Sequence, residues 1–450
     1  MLTTPADPIA ALATPLAPSA LAVIRVTGEG SLQILSRLLE GGRDLGAARG
    51  HTIRACVIRD GEEAVDEVLL AVYRAPRSYT GEDGAEIFCH GSLPVVRRIL
   101  SLLAQSGFRP AGPGEFTQRA FLNGRMDLTR AEAVNEIVRA KTDRARALAL
   151  ERLGGAVEKR IRAARDLLVD LRASVEVMID YPDEDLGGDT VDERGLTEAT
   201  AILEALTRTY RRGRIYQEGV SVAIAGPTNA GKSSLFNLLL RQERAIVSEV
   251  HGTTRDWLEG MMSLEGIPVR LFDTAGLRDS ADPLEIEGIR RASQVALSAD
   301  LVAYLVDSTV GSGAPIDAAL AGQLGAAPLI RVWNKVDLPG RLPTPAGFIP
   351  VSAATGEGLE ALVEAMVAAI LEGAPAETGG PLIDSERQRD LIGRALDALG
   401  RFRTSRRQGM PLDLLAVDLA DALDALGEIT GEVTSEEILQ RVFSRFCVGK

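Results

Sequence analysis

Apolar residues recur along the chain in three successive rhythms. Up to about residue 120, short runs of β-type composition (21–26, 68–73, 85–89) are interleaved with stretches of helical spacing (31–39, 93–103). Gly and Pro punctuate both, and the pattern predicts a small α+β domain. From 128 to 179 the rhythm is helical. Ala133, Ile137 and Ala140 fall on one face, as do Leu167, Leu168, Leu171, Val175 and Met178. Gly154-Gly155 marks a break, the acidic stretch 181–189 a loop, and a further helix runs to about Arg212. From 219 to about 370, β-type runs (220–225, 269–272, 301–306, 329–333, 348–351) alternate with helical segments. That order implies a parallel sheet with crossover helices. Leu412, Leu415, Leu419, Ala422 and Leu426 then share a helical face beyond a Gly/Pro-rich linker at 373–381. The helical stretches flanking the α/β unit read as one domain into which that unit is inserted, or as two separate modules.

Length and composition narrow the class. A chain of 450 residues exceeds one core, so two to three domains are expected. Three cysteines, widely spaced and odd in number, argue against a disulfide framework and for a reducing cytoplasm. With three histidines and no paired ligand spacing, a structural zinc site has little to be built from. A net charge of −13 argues against coating nucleic acid through overall charge, although residues 159–165 and 401–407 are locally basic. The N-terminus has no signal-peptide pattern and the apolar runs are too short for a membrane span, so a cytoplasmic protein without membrane association is expected.

The chemistry is carried by five segments in order. Gly226-Pro-Thr-Asn-Ala-Gly-Lys-Ser233 follows one β-run and opens a helical run, the strand–loop–helix context of a phosphate-binding loop. Its backbone N–H groups, including those of Asn229, Ala230 and Gly231, can curl around phosphate oxygens at the positive end of a helix. Lys232 reaches the outer phosphates, Ser233 supplies a hydroxyl to Mg²⁺, and Ser234 completes the loop. Gly252-Thr-Thr-Arg-Asp256 offers Thr254 as a second Mg²⁺ hydroxyl when a γ-phosphate is present. Asp273-Thr-Ala-Gly276, through Asp273, Thr274, Ala275 and Gly276, sets a carboxylate at a strand end beside the metal shell. Asn334-Lys-Val-Asp337 brings Asn334, Lys335 and an Asp337 carboxylate able to accept two hydrogen bonds from the guanine edge, which selects GTP over ATP. Ser352-Ala-Ala354 (Ser352, Ala353, Ala354) can meet the guanine oxygen through backbone N–H. Leu277 stands where Ras-type G proteins carry a water-orienting Gln, so hydrolysis needs another acid or amide, a cation, or a partner.

Further segments carry a resemblance over essentially the whole chain. They are Ile9-Ala-Ala-Leu-Ala-Thr-Pro15, Ser78-Tyr-Thr-Gly-Glu-Asp83, His90-Gly91, Gly112-Pro-Gly-Glu-Phe-Thr117 and Arg119-Ala-Phe-Leu-Asn-Gly124. Asp127-Leu-Thr129, Ala131-Glu-Ala-Val134, Leu426-Gly-Glu-Ile-Thr-Gly-Glu432 and the terminal Phe446-Cys-Val-Gly-Lys450 complete the set. With the G segments, the sequence resembles the bacterial tRNA-modifying GTPase family MnmE (TrmE). The resemblance implies a multidomain fold: an N-terminal α+β folate-binding and dimerisation domain (1–120), a helical domain in two parts (121–215 and 376–450), and an inserted α/β P-loop, Ras-like G domain (216–375). It implies a homodimer that works with the FAD-dependent MnmG (GidA), as a heterotetramer or larger, on tRNA. That pair adds an aminomethyl-type (carboxymethylaminomethyl) group to C5 of the wobble uridine.

Cofactors implied by the resemblance are GTP/GDP, Mg²⁺, K⁺ and a tetrahydrofolate derivative of 5-formyl or 5,10-methylene type. By motif match, Asn229, Ser248, Val250 and Thr253 would surround K⁺ between transiently paired G domains, with Ser248 and Thr253 also beside the nucleotide. Glu285 would position the attacking water. Arg25, Glu82, Arg125 and Lys450 would contact folate, and Cys447 would act as a thiol near the one-carbon unit or, alternatively, as a small buried apolar residue. Ala17-Pro-Ser-Ala20 departs from the family's Gly-Arg-Gly-Gly. His90 reads as a packed histidine at a strand end or, alternatively, as a catalytic one, Cys56 as core and Trp333 as strand packing. Residues 401–407 read as a tRNA-phosphate contact or as a solvated helix face. A regulatory GTPase switch without modification chemistry is the alternative function.

Overall fold

The computed structural model describes residues 7–42, 44–181, 193–242, 259–273, 299–310, 327–374 and 380–450. In chain order the first elements are β1 (Ile9–Leu12), β2 (Ser19–Thr27), α1 (Ser31–Ser36), β3 (Thr52–Asp60), β4 (Glu63–Tyr73), β5 (Gly84–Gly91), α2 (Leu93–Gln105), β6 (Arg109–Pro110) and α3 (Glu115–Leu122). Helices follow: α4 (Leu128–Arg139), α5 (Asp143–Leu153), α6 (Ala156–Asp180) and α7 (Glu193–Glu218). Then come β7 (Val220–Ala225), α8 (Lys232–Gln242), β8 (Glu259–Leu264), β9 (Ile267–Asp273), β10 (Leu301–Asp307), β11 (Leu329–Asn334) and β12 (Phe348–Val351). The last are α9 (Leu359–Ile370), α10 (Glu386–Arg407), α11 (Leu412–Thr430) and α12 (Glu436–Phe443). The chain forms two compact units, one of residues 1–135, 152–196 and 397–450, the other of 136–151 and 197–396.

The first unit contains a six-stranded sheet in the order β3-β4-β5-β2-β1-β6. Its pairs are antiparallel except β1 with β6. Alternation along β2 and β5 turns Ala22, Ile24, Val26, Ile87 and Cys89 inward against Ile99 and Leu103 of α2. α2 begins where it does because the Ser92 hydroxyl accepts from the Val95 N–H and Pro94 lies in the first turn. In the helical part, α6 packs along α11. The apolar stripes Ile161, Leu168, Leu171 and Val175, and Leu415, Leu419, Leu426 and Ile429, are buried as the 3.6-residue spacing requires. Each such side chain contributes roughly 1.5–3 kcal/mol of burial.

The second unit holds a sheet ordered β12-β11-β10-β7-β9-β8, parallel except for the edge pair β8–β9. Its core includes Val222, Ile224, Leu235, Leu239, Leu271, Leu305, Val332 and Met366, together with Leu148 from α5. The chain leaves β7 for β9 on one side and returns to β10 on the other, so the loop after β7 sits at the topological switch point.

Several sequence expectations are corrected. β1, β3 and β8 lie outside the β-type runs that the sequence pattern predicts. α7 extends to Glu218 rather than stopping near Arg212, and α1 ends at Ser36. His90 is not packed: Cys89 takes the inward position, so the pleat turns His90 outward, where Nδ1 lies 2.7 Å from Asp66 Oδ1. Cys56 and Trp333 are buried.

Candidate functional site

The five carboxyl ends of the parallel strands converge on one edge of the second unit. Gly226 leaves β7 at φ +142°, where a Cβ would lie 2.3 Å from the Leu305 carbonyl oxygen. Gly231 has φ +95°, and a Cβ there would lie 2.2 Å from Asn334 Nδ2. Both positions therefore need glycine for a left-handed backbone and a close approach. Asn229 is left-handed at φ +65°; Asn229, Ser233 and Ser234 are exposed, while Ala230 is buried. Lys232 Nζ donates to the carbonyls of Gly226 and Pro227 at 2.8 Å each, so the ammonium already lies across the loop. Burial pulls its pKa below the ordinary lysine value against the opposing charge of Asp273, and a bound polyphosphate would supply the missing counter-charge. Asp273 ends β9 in register with Ile224 and is buried.

Asn334 joins three segments. It is 1 % exposed; its Nδ2 donates to the Ala230 carbonyl at 2.7 Å, and its Oδ1 accepts from the Ala353 N–H at 3.0 Å. The phosphate loop, the β11 end and the β12 end are thereby locked together. Asp337 accepts from the Ser352 hydroxyl at 2.6 Å, and Ser352 Oγ in turn accepts from the Thr355 N–H at 3.1 Å. Ala354 follows as an exposed residue. Lys335 is left-handed at φ +66° and pairs with Asp307 Oδ2 at 2.6 Å. Asp307 and Ser308 belong to no G segment, although Asp307 ends a parallel strand, where ligand-facing groups gather in this kind of sheet.

Ser233, Lys232 and Asp273 stand on adjoining strand-end segments and suit a phosphate with a hard cation: one hydroxyl, one ammonium and one buried carboxylate. Among the described residues, no group of three or more His, Cys, Asp or Glu is placed to hold a metal by itself. Ser248, Val250, Thr253, Thr254, Thr274, Ala275, Gly276 and Glu285 lie outside the described residues.

The first unit carries a cavity of about 160 Å³ whose lining includes Arg25, Thr27, Tyr79, Glu82, Glu86 and Phe116. Arg25 donates from Nε and Nη2 to Glu86 Oε1 at 3.0 and 2.8 Å, and lies 5.5 Å from the centroids of both the Tyr79 and Phe116 rings. Its Nη1 donates to the Gly449 carbonyl at 3.2 Å, and the Phe116 N–H donates to the main-chain oxygen of Lys450 at 3.2 Å. Gly449 and Lys450 thus lie against two residues that line the cavity. Burial raises the Glu82 pKa, although Arg119 and the Thr27 hydroxyl oppose it. Arg119 is fully buried and also reaches Asp7 and Glu115.

Arg125 is exposed and is not among the residues lining the cavity. Cys447 is exposed, which removes the buried-apolar reading; its carbonyl accepts from the Gly114 and Lys450 N–H groups at 3.3 Å. In the stretch 401–407, Arg401 pairs with Asp418 and Asp421 and Arg406 with Glu193, so part of its charge is neutralised. No helix among the described residues is long and apolar enough to cross a membrane.

Comparison with known proteins places these features in a family. The family description "MnmE helical domain" matches residues 128–447, and "GTP-binding protein TrmE N-terminus" matches residues 8–125. A tRNA modification GTPase MnmE of Geotalea uraniireducens is 42% identical over 457 residues, covering 99% of each chain. One of Thermus thermophilus is 44% identical over 447 residues, again covering 99% of each. One of Treponema denticola is 42% identical over 470 residues, covering 99% of this chain and 98% of its own. The matches span both compact units, and the chain therefore belongs to the MnmE (TrmE) family.

Proposed function

We propose that this chain is a GTP-hydrolysing tRNA-modification enzyme with an N-terminal folate domain, a helical domain in two parts and an inserted G domain. The observation that carries the nucleotide reading is Asn334, which ties the phosphate loop to the Ser352 segment and leaves the Asp337 carboxylate held by one hydroxyl. That carboxylate accepts from the N–H edge of guanine; adenine offers a different pattern of donors and acceptors. Lys232 and the loop N–H groups hold the phosphates, and Ser233 with Thr254 would hold Mg²⁺, which supplies charge neutralisation at the β- and γ-phosphates.

The modification reading rests on full-length membership among tRNA modification GTPases. In it, a cytoplasmic homodimer acts with a FAD-dependent partner on C5 of the wobble uridine, and the cavity beside Arg25 takes a tetrahydrofolate derivative. Purified protein should hydrolyse GTP, and tRNA from a deletion strain should lack the modified wobble nucleoside by mass analysis. An unchanged nucleoside profile would reject the modification role. Leu277 cannot orient water, so Glu285 and a potassium ion at Asn229 are proposed to complete the hydrolytic site. Turnover should be much faster in KCl than in equal NaCl and should be lost in Glu285→Ala with GTP binding retained. Equal rates in the two salts would reject the cation.

A further inference from the structure

The G segments account for Asn334 and Asp337 but leave unexplained why Lys335, the residue directly after Asn334, adopts a left-handed conformation. Such a backbone is unfavourable for any side chain with a Cβ and persists only where its surroundings hold it. The surroundings here are the last residue of β10 and the two that follow it. Asp307 lies in register with Asn334 on the neighbouring parallel strand. Its Oδ1 accepts from both the N–H (2.9 Å) and the hydroxyl (2.7 Å) of Thr309, which fixes the carboxylate; its Oδ2 accepts from Lys335 Nζ at 2.6 Å. Ser308 is fully buried. Its N–H donates to the Asn334 carbonyl and its hydroxyl to the Lys335 carbonyl, both at 2.9 Å, and its own carbonyl accepts from Leu342 N–H.

We propose that Asp307 is a positioning residue of the guanine site: the carboxylate fixed by Thr309 clamps Lys335 from its side chain while Ser308 clamps it from its carbonyl, and together they set the turn that presents Asp337. The inference rests on the guanine-nucleotide reading and adds to it a residue outside the recognised segments. An exposed ion pair is usually worth little because two mobile side chains must be ordered to make it. This pair differs: the acid is already held by two hydrogen bonds, and its side chain is 14 % exposed against 29 % for the lysine. Asp337 is fixed from the other side by Ser352, so the turn between the two anchors has little freedom left when Asp307 is in place.

The test is a fluorescence titration of the full-length protein with a labelled GDP. Asp307→Asn keeps the shape but removes the charge, and should weaken GDP binding about tenfold, with KM for GTP rising by a similar factor. Asp307→Glu should recover part of the loss. Lys335→Met should weaken binding comparably, and the double variant should be no weaker than the worse single variant, because both remove one clamp. A merely structural acid would change unfolding without this non-additivity in ligand affinity. If Asp307→Asn does not fold by circular dichroism, Thr309→Val is read instead and should weaken binding by about threefold. Binding within about twofold of wild type in the folded variant, or effects that multiply in the double variant, would overturn the assignment. A wild-type protein that binds no GDP would instead remove the nucleotide reading itself, and this inference with it.

Discussion

Replacing Asn334 by Asp changes one NH₂ to an oxygen, yet the structure predicts a large and pH-dependent cost. Oδ1 can still accept from the Ala353 N–H, but the other oxygen would face the Ala230 carbonyl at about the 2.7 Å now spanned by a hydrogen bond. Two acceptors cannot share that contact, and the site is 1 % exposed, so the new acid must take up a proton to donate to Ala230. From an ordinary Asp value near 3.9, holding the proton at pH 7 costs about 3.1 units × 1.36, roughly 4 kcal/mol, and at pH 5 only about 1.5 kcal/mol. The sign follows from linkage: a folded-state pKa raised above the unfolded value leaves stability intact below about pH 4 and removes it as pH rises.

Asn334→Ala strands one acceptor and one donor at about 1–3 kcal/mol each, independent of pH. Trp333 adjoins the site, buried and edge-on to Phe348 at 5.5 Å, and its indole fluorescence reports on this unit once Trp257, the other tryptophan, is replaced by Phe. Urea titrations at pH 5 and 7 should show the Asp variant losing stability relative to wild type as pH rises, while the Ala variant keeps a constant deficit. An Asp variant with the same deficit at both pH values would refute the assigned bonds.

Three further outcomes are expected. Asp337→Asn should shift nucleotide preference from guanine towards xanthine, because the carboxylate's two accepted bonds are lost; unchanged preference in competition binding would refute the guanine assignment. Removing Gly449 and Lys450 takes away the main-chain oxygens that Arg25 and Phe116 bind, so both the truncation and Arg25→Ala should lower the affinity for a folate derivative by calorimetry, with equal affinity in all three proteins counting against the site. Acid should weaken the first unit: hydrogen bonding to Arg109 holds Asp7 below its usual pKa, and Arg109, the Gly112 N–H and Arg119 outweigh burial to hold Glu115 low. Depressed folded-state values give stability that is present above about pH 4 and lost as pH falls below it, so the thermal midpoint should drop below that pH, and less steeply in Arg109→Met.

Much of the second unit was legible in the sequence. β7 and β12 fall on the expected spans, and β9, β10 and β11 contain theirs, because strands of a doubly covered parallel sheet are continuous apolar runs whose signal is local. The phosphate loop was legible for the same reason: glycine spacing, lysine and serine stand within eight residues. The long helices showed through their 3.6-residue apolar spacing, confirmed at Leu168, Leu171 and Val175. β1 leaves little signal in the sequence because Ile-Ala-Ala-Leu has little β preference, β3 because Arg and Asp interrupt its alternation, and β8 because it opens on Glu-Gly at a sheet edge.

What only the tertiary structure decided are contacts between residues distant in the chain. Asn334 reaches Ala230 across 104 positions, Arg25 reaches Gly449 across 424, and Glu86, 61 positions from Arg25, already neutralises part of the charge expected to face a ligand. The outward turn of His90, the exposure of Cys447 and the grip of Asp307 on Lys335 likewise depend on which faces the folded strands present. Periodicity and motif spacing record what a residue's near neighbours require of it. A hydrogen bond across a hundred residues leaves no such record, because its geometry exists only after both segments have been packed against the same sheet.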